Sequence, residues 1–206
     1  MVVGGDEPVE PKVRELLAAG ARVTLVAASA TPTLTAWTDA GVVAHLVRDY
    51  QSGDLVGAVI AYASSHDPAL IRQLEGEAAR EHVLLNVIDT PAACGFISPA
   101  VVRRGDLTIA IGTGGASPRL SARVRARLAE ELGPEYGPYV AILGAVRTAL
   151  QGHPQRTRMV TELVDSPTLL GLVRAGDRGG IDALLAVVTG GEHTLDRLGV
   201  PLDGKV

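Results

Sequence analysis

The 206-residue sequence predicts an α/β chain, a parallel sheet covered by helices, followed by an all-helical C-terminal half. Two observations carry this reading. Short, almost wholly apolar runs (RVTLVA, VVAHLV, LVGAVIAYA, VLLNVI, LTIAIG) alternate with helical patterns as far as Gly112, as strands buried on both faces do when right-handed helical crossovers join them. Beyond Gly112 only helical periodicity and helix punctuation remain.

Taken in order, Val2–Val3 end a first strand. It is short beside the usual 5–6 residues, so about a dozen residues are expected to be missing upstream. Lys12–Ala19 places Val13, Leu16 and Leu17 on one helical face, with Gly20 to end it. Arg22–Ala27 is the second strand, Leu34–Ala40 a short helix stopped by Gly41, and Val42–Val47 the third strand. The apolar Leu55–Ala63 reads as one buried strand, Pro68–His82 as its crossover helix, and Val83–Ile88 and Leu107–Gly112 as two more buried strands of the sheet. Ser117–Leu132 has an N-cap serine and Pro118 at the first helical position, a strong helix signal. Further helices are expected at Tyr139–Leu150, Arg156–Val164, Ser166–Ala175 and Gly180–Thr189. The tail from His193 is polar and Gly/Pro-punctuated, and is expected to be partly ordered at best.

Composition narrows the function. At 47% hydrophobic the chain buries a sizeable core, and 23 acidic against 19 basic residues leave no global basic field for nucleic acid or an anionic membrane. One cysteine, Cys94, excludes an intramolecular disulfide framework and a thiolate metal cluster within one chain, and fits a reducing cytoplasm. No charged leader precedes an apolar segment, and no apolar run approaches the roughly 20 residues of a spanning helix. Secretion and membrane insertion are not expected. The five histidines, His45, His66, His82, His153 and His193, show no pair at metal-ligand spacing, so no resident metal is assigned.

The opening VVGGDEPVEP resembles the first turn of a dinucleotide-binding domain. There the first glycine makes the bend, the second lets the backbone approach the pyrophosphate, and the third lets helix and strand pack. The corresponding positions are Gly4, Asp6 and Val9, and only the first is intact. A carboxylate at the second adds negative charge where a helix start otherwise favours an anion, although Asp6 is equally suited to cap the helix. The acidic residue that usually meets the ribose is absent from the end of the second strand, Val26-Ala27-Ala28-Ser29. The candidate cofactor contacts are Gly4, Gly5, Glu7 and Pro8 of the turn, with Ala28 and Ser29.

Asn86 to Pro118, NVIDTPAACGFISPAVVRRGDLTIAIGTGGASP, resembles the siroheme synthase N-terminal family, the precorrin-2 dehydrogenase and sirohydrochlorin ferrochelatase proteins. Its members carry N-V-V-D-x-P, then F-I-x-P-A, then R-G-D-L-x-I-A-I-S-T-x-G-x-S-P. The N-terminal VVGG and its following helix, RDYQSGDL, and SPRLSARVRARL extend the resemblance over about residues 2–147. It implies a Rossmann-like NAD-binding domain (1–112), a helical dimerisation region (113–147) and a small helical C-terminal domain (148–206). The implied protein is a cytoplasmic homodimer with its active site between these parts.

The implied reaction is NAD-dependent oxidation of precorrin-2 to sirohydrochlorin, joined in many members by Fe(II) insertion to give siroheme, with Fe(II) a transient substrate. The matching catalytic position is Asp89, at the carboxyl end of a predicted parallel strand. A base there serves either reaction, since dehydrogenation removes a proton with the hydride and chelation deprotonates pyrrole nitrogens. A turn cap before Pro91 is the structural alternative.

The tetrapyrrole is a polycarboxylate and needs cations on the rim of its site. Candidate substrate contacts are Thr113, Gly114 and Ser117 in the GTGGASP loop, with Arg103 and Arg119; Arg104 and Arg123 lie in the same matching region. The loop suits an anion, and equally a flexible turn capped by Ser117. In AYASSHDPALI, Ser64 and Ile71 replace a threonine and an asparagine of the family pattern. With Asp6, these departures raise a second reading, a chelatase or tetrapyrrole-binding homologue that has lost NAD use; a third is a non-catalytic helical dimer. The chain ends soon after the helical region, and precorrin-2 is expected to arrive from a separate enzyme.

Overall fold

The computed structural model describes residues 1–191 and 193–202. Two compact units divide between Ser98 and Pro99.

The first unit, Met1–Ser98, is built on five parallel strands: β1 (Val2–Val3), β2 (Val23–Val26), β3 (Val43–Leu46), β4 (Ile60–Ala63) and β5 (Leu84–Val87), in the order β3-β2-β1-β4-β5. Helices α1 (Glu10–Ala18), α2 (Pro32–Asp39) and α3 (Pro68–Glu81) make the crossovers, and a 3-10 turn at Glu7–Val9 precedes α1. Each helix has a proline at its start, where the missing N–H is no loss, and Thr31 and Asp67 cap α2 and α3 through their side chains.

Two residues suffice for β1 because they serve both faces of the sheet. Val2 packs with Val9, Val13, Leu25 and Leu34, whereas Val3 packs with Leu55, Leu74, Leu85 and Val87. Alternation of side chains along a strand explains the division. Register is set on both sides, Val2 opposite Leu25 and Tyr62, Val3 opposite Val26 and Ala63.

LVGAVIAYA differs from its expected form, since only Ile60–Ala63 is strand. Gly53 and Gly57 turn the chain through positive φ (103° and 77°), and Leu55 is fully buried from within that turn. Apolar content there reports burial and not extension.

The second unit, Pro99–Val206, starts with an antiparallel ribbon, β6 (Ala100–Arg104) and β7 (Leu107–Ile111), turned at Gly105 with φ +57°. LTIAIG is thus not a sixth parallel strand. Its side chains are half-buried or exposed, and Leu107–Ile111 pair with Ala100–Arg104, a strand not anticipated.

Helices α4 (Pro118–Glu131), α5 (Tyr136–Ala149), α6 (Arg156–Asp165), α7 (Pro167–Ala175) and α8 (Arg178–Thr189) follow. Ile142, Val146, Leu163, Leu169, Val173, Ile181 and Leu185 form their core. The tail is better ordered than expected where it is described: Leu195, Val200 and Leu202 are buried in the same core. The remainder of that expectation, residues 203–206, lies outside the described residues.

Candidate functional site

In the first unit a cleft of about 560 Å³ opens at the carboxyl edge of the sheet. It is lined by Val3 at the end of β1 with Gly4 and Gly5 after it, Val26 at the end of β2 with Ala27 to Ser29 after it, Asp49 and Tyr50 after β3, and Ser64 and the start of α3 after β4. The chain reverses its winding between β1 and β4, and ligands of open α/β sheets gather at such a switch point. Of the sequence candidates, Gly4, Gly5, Ala28 and Ser29 line the cleft, whereas Glu7 and Pro8 are exposed on the 3-10 turn outside it.

The glycine pair answers a close approach of chain to chain. Gly4 has φ +105°, and a Cβ there would lie 2.9 Å from the Ser64 carbonyl oxygen. At Gly5 a Cβ would lie 1.8 Å from the Ser29 carbonyl oxygen, with the Gly5 carbonyl accepting from the Thr31 N–H at 2.9 Å. These contacts draw the β1, β2 and β4 loops together around the cleft. The N–H groups of Gly5 and Asp6 find no acceptor among the described residues.

Asp6 takes the backbone geometry of an N-cap (φ −94°, ψ 172°), yet its side chain caps nothing. Its Oδ2 instead accepts from the Ser64 hydroxyl at 2.6 Å. This corrects the capping alternative: the carboxylate reaches across the switch point, from the β1 loop to the β4 loop.

The wall contributed by residues 48–55 escaped the sequence reading. Arg48 grips Asp54 with two nitrogens at 2.7 and 2.8 Å, and Asp54 also accepts from the Gln51 N–H at 2.8 Å. The Arg48 guanidinium foremost holds the Asp54 carboxyl below its ordinary range. Glu77 of α3, 1% exposed, accepts from the Tyr50 hydroxyl and from the N–H groups of Gly53 and Leu55 at 2.8–3.0 Å. Burial pushes the Glu77 carboxyl up, and those donors together with Arg80 outweigh it, so its pKa is depressed. Burial, then the bond to Glu77, raises the Tyr50 hydroxyl well above its usual value. The RDYQSGDL motif could have pointed to this wall, since the loop after β3 must open on the same sheet edge as those after β1 and β2.

Asp89 stands just past β5 on that carboxyl edge, exposed, with φ +59°. Left-handed backbone is uncommon outside glycine and asks for a reason. Among the described residues its side chain accepts no cap bond, so the turn-cap alternative does not hold. The segment after it is anchored: Asn86 Nδ2 donates to the Phe96 carbonyl at 2.8 Å, the Gly95 N–H to the Leu85 carbonyl at 2.8 Å, and Cys94 Sγ to the Val87 and Thr90 carbonyls. Phe96 meets Tyr62 edge-on at 5.6 Å, and the Tyr62 hydroxyl bonds Ser98 at 3.0 Å.

In the second unit, Thr113 and Ser117 organise one turn. The Ser117 N–H donates to Thr113 Oγ1 at 3.1 Å, and Ser117 Oγ accepts from the Leu120 N–H at 3.2 Å, capping α4. Gly114 and Gly115 turn the loop with φ +60° and +82°, and space around Gly114 is open. Arg119 and Arg123 are exposed and have no carboxylate partner among the described residues, and Arg103 donates to Thr108 at 3.2 Å. Arg104 is committed elsewhere. Its guanidinium donates to the Leu132 and Ala129 carbonyls at 2.7 and 2.8 Å, closing the α4 C-terminus as cations do. His45 bonds the Ala27 carbonyl at 2.9 Å, and among the described residues no group of three or more His, Cys, Asp or Glu is placed to hold a metal.

A parallel sheet with a glycine turn and a cleft at its switch point defines a dinucleotide-binding α/β domain, here followed by a helical unit. The family described as "Putative NAD(P)-binding" matches residues 1–100, and "Sirohaem biosynthesis protein central" matches residues 104–131. A siroheme synthase of Escherichia coli O157:H7 is 37% identical over 121 residues, 59% of this chain and 26% of the relative; one of Escherichia coli strain SMS-3-5 is 36% identical over the same length. The chain thus spans about a quarter of the length of these relatives. A solved structure of "SirC, precorrin-2 dehydrogenase" superposes with TM-score 0.74 at 22% identity, covering 92% of each chain. These matches support assignment to the siroheme synthase N-terminal family, whose motifs the sequence resembles. No described helix is long and apolar enough to cross a membrane.

Proposed function

We propose that this protein is an oxidoreductase of siroheme biosynthesis that converts precorrin-2 to sirohydrochlorin with NAD as hydride acceptor. The observation that carries the reading is the placement of Asp89: an exposed carboxylate in left-handed backbone, on the same carboxyl edge of the sheet as the glycine turn and cleft.

The cleft fits the cofactor. Its volume falls within the roughly 300–1,000 Å³ of small-molecule sites. Gly4 and Gly5 hold its floor, and the unpaired N–H groups of Gly5 and Asp6 suit the pyrophosphate. The lining carries Asp49 and Asp67 and no lysine or arginine, which suits a ribose hydroxyl and repels a 2′-phosphate. Asp49 thereby supplies, from the loop after β3, the acidic residue absent from the end of β2. When bound, NAD supplies a two-electron acceptor for the hydride.

Asp89 takes the proton that leaves with that hydride. Its carboxyl is exposed, so a bound substrate can reach it. Arg103 and Arg119 meet substrate carboxylates, and the Thr113–Ser117 turn offers its own donors to them. Fe(II) is read as a substrate, inserted after oxidation with Asp89 again accepting protons. We read the working form as a cytoplasmic homodimer joined through residues 113–147.

The test is anaerobic incubation of the protein with precorrin-2 and NAD. Growth of sirohydrochlorin absorbance with stoichiometric NADH is expected; neither product appearing, while a family dehydrogenase turns over in parallel, overturns the assignment.

A further inference from the structure

We propose that Ser64 is a positioning residue for the dinucleotide, holding the Asp6 carboxylate away from the place the pyrophosphate takes. This rests on the reading of the cleft as the NAD site and assigns a task to one of its walls. Asp6 occupies the second position of the glycine turn, where the backbone must approach the phosphates. It already has the dihedral angles from which an aspartate caps a helix start. Pro8 has no N–H, so the cap donor within reach is Val9, whose N–H makes only a long bond, 3.3 Å, to the Asp6 carbonyl. A carboxylate drawn there would set its charge at the mouth of the turn, against an incoming dianion.

The structure has it elsewhere. Ser64 Oγ donates to Asp6 Oδ2 at 2.6 Å and draws the carboxylate over the β4 loop. Gly4 makes this reach possible, because its Cα passes so near Ser64 that a Cβ would stand 2.9 Å from the Ser64 carbonyl. The N–H groups of Gly5 and Asp6 are left with no acceptor among the described residues. The two residues offset one another: an intrusive acid in the glycine turn, and a hydroxyl opposite that holds it aside.

The experiment is calorimetric titration of NAD into the full chain as wild type, Ser64→Ala, Ser64→Thr, Asp6→Gly and the Asp6→Gly/Ser64→Ala double variant, with melting curves to confirm folding. Ser64→Ala is expected to weaken NAD binding by about tenfold, a loss on the scale of one hydrogen bond to a charged group. Ser64→Thr, which keeps the hydroxyl, restores wild-type affinity. Asp6→Gly binds NAD at least as tightly as wild type, and Ser64→Ala then has no further effect, the signature of coupling between contacting residues. Equal losses from Ser64→Ala with and without Asp6 overturn the proposal while leaving the cofactor reading intact, as does unchanged affinity in Ser64→Ala. NAD binding by Asp6→Gly but not by wild type overturns it too, since Asp6 would then block the site despite Ser64. No binding by any folded variant overturns the cofactor reading and the proposal with it.

Discussion

The Asn86 amide, 8% exposed, donates to the Phe96 carbonyl at 2.8 Å, tying the last turn of β5 to the far end of the segment that begins with Asp89. Asp89→Asn retains a side chain tolerant of left-handed backbone, so the melting temperature should stay near that of wild type. Turnover of precorrin-2 should fall by about 10²–10⁴-fold, the usual contribution of a positioned base. Asn86→Asp exchanges the donor for a carboxylate facing a carbonyl. It should lower kcat with little change in the KM for NAD, and lower the melting temperature as well; kinetics and melting of both variants decide the matter.

Two glycines should respond oppositely to alanine. At Gly5 the added methyl meets the Ser29 carbonyl oxygen at 1.8 Å, and backbone cannot swing aside as a side chain can. Gly5→Ala should cost about 2–4 kcal/mol and abolish NAD binding. Gly144, inside α5 with open space around it, should gain roughly 0.5–1 kcal/mol as alanine. Denaturant unfolding of the two variants measures both.

Glu77 accepts three kinds of donor in a buried place, so truncation leaves the Tyr50 hydroxyl and the Gly53 and Leu55 N–H groups without a partner. Glu77→Ala should destabilise by about 2–4 kcal/mol. Glu77→Gln, with one acceptor oxygen in place of two, should lose less. Urea midpoints for the pair provide the comparison.

The carboxyls of Asp54, Glu77 and Glu135 are all depressed, Glu135 foremost by Arg174, which donates to it at 2.6 and 3.1 Å. A depressed folded-state value means that the folded form holds its carboxylates against protonation. The stability they contribute is therefore present above the ordinary values of 3.8 for Asp and 4.5 for Glu, and is lost as pH falls through the folded-state values. Thermal melts should be flat from pH 7 to near 5 and fall steeply below 4.5. Glu135→Gln should blunt that acid limb, modestly, because Arg174 is 61% exposed.

The layered α/β half was legible because crossovers leave buried strands as apolar runs between capped helices. The helical half was legible from Ser117, Pro118 and later breakers. Apolar content by itself does not signal extension. Leu55 is as buried as any strand residue but sits in a turn made by Gly53 and Gly57, and LTIAIG found an antiparallel partner in a segment that alternates too weakly to announce itself. Asp6 was legible as an anomaly and not as half of a pair, since Ser64 lies 58 residues away. Asp49 stayed hidden for a related reason: only the spatial order of β3 beside β2 brings its loop to the cleft.

The knot formed by Arg48, Asp54, Tyr50 and Glu77 changes what it means for a ligand to meet a loop. Segments of this kind usually surrender conformational freedom when something binds, and that loss is subtracted from affinity. Here the loss has already been taken during folding, because α3 holds residues 50–55 through a single buried carboxylate. In the proposed cofactor site the rim bearing Asp49 is a rigid edge for the adenosine end of a dinucleotide, and recognition there would be settled by shape and charge more than by induced order.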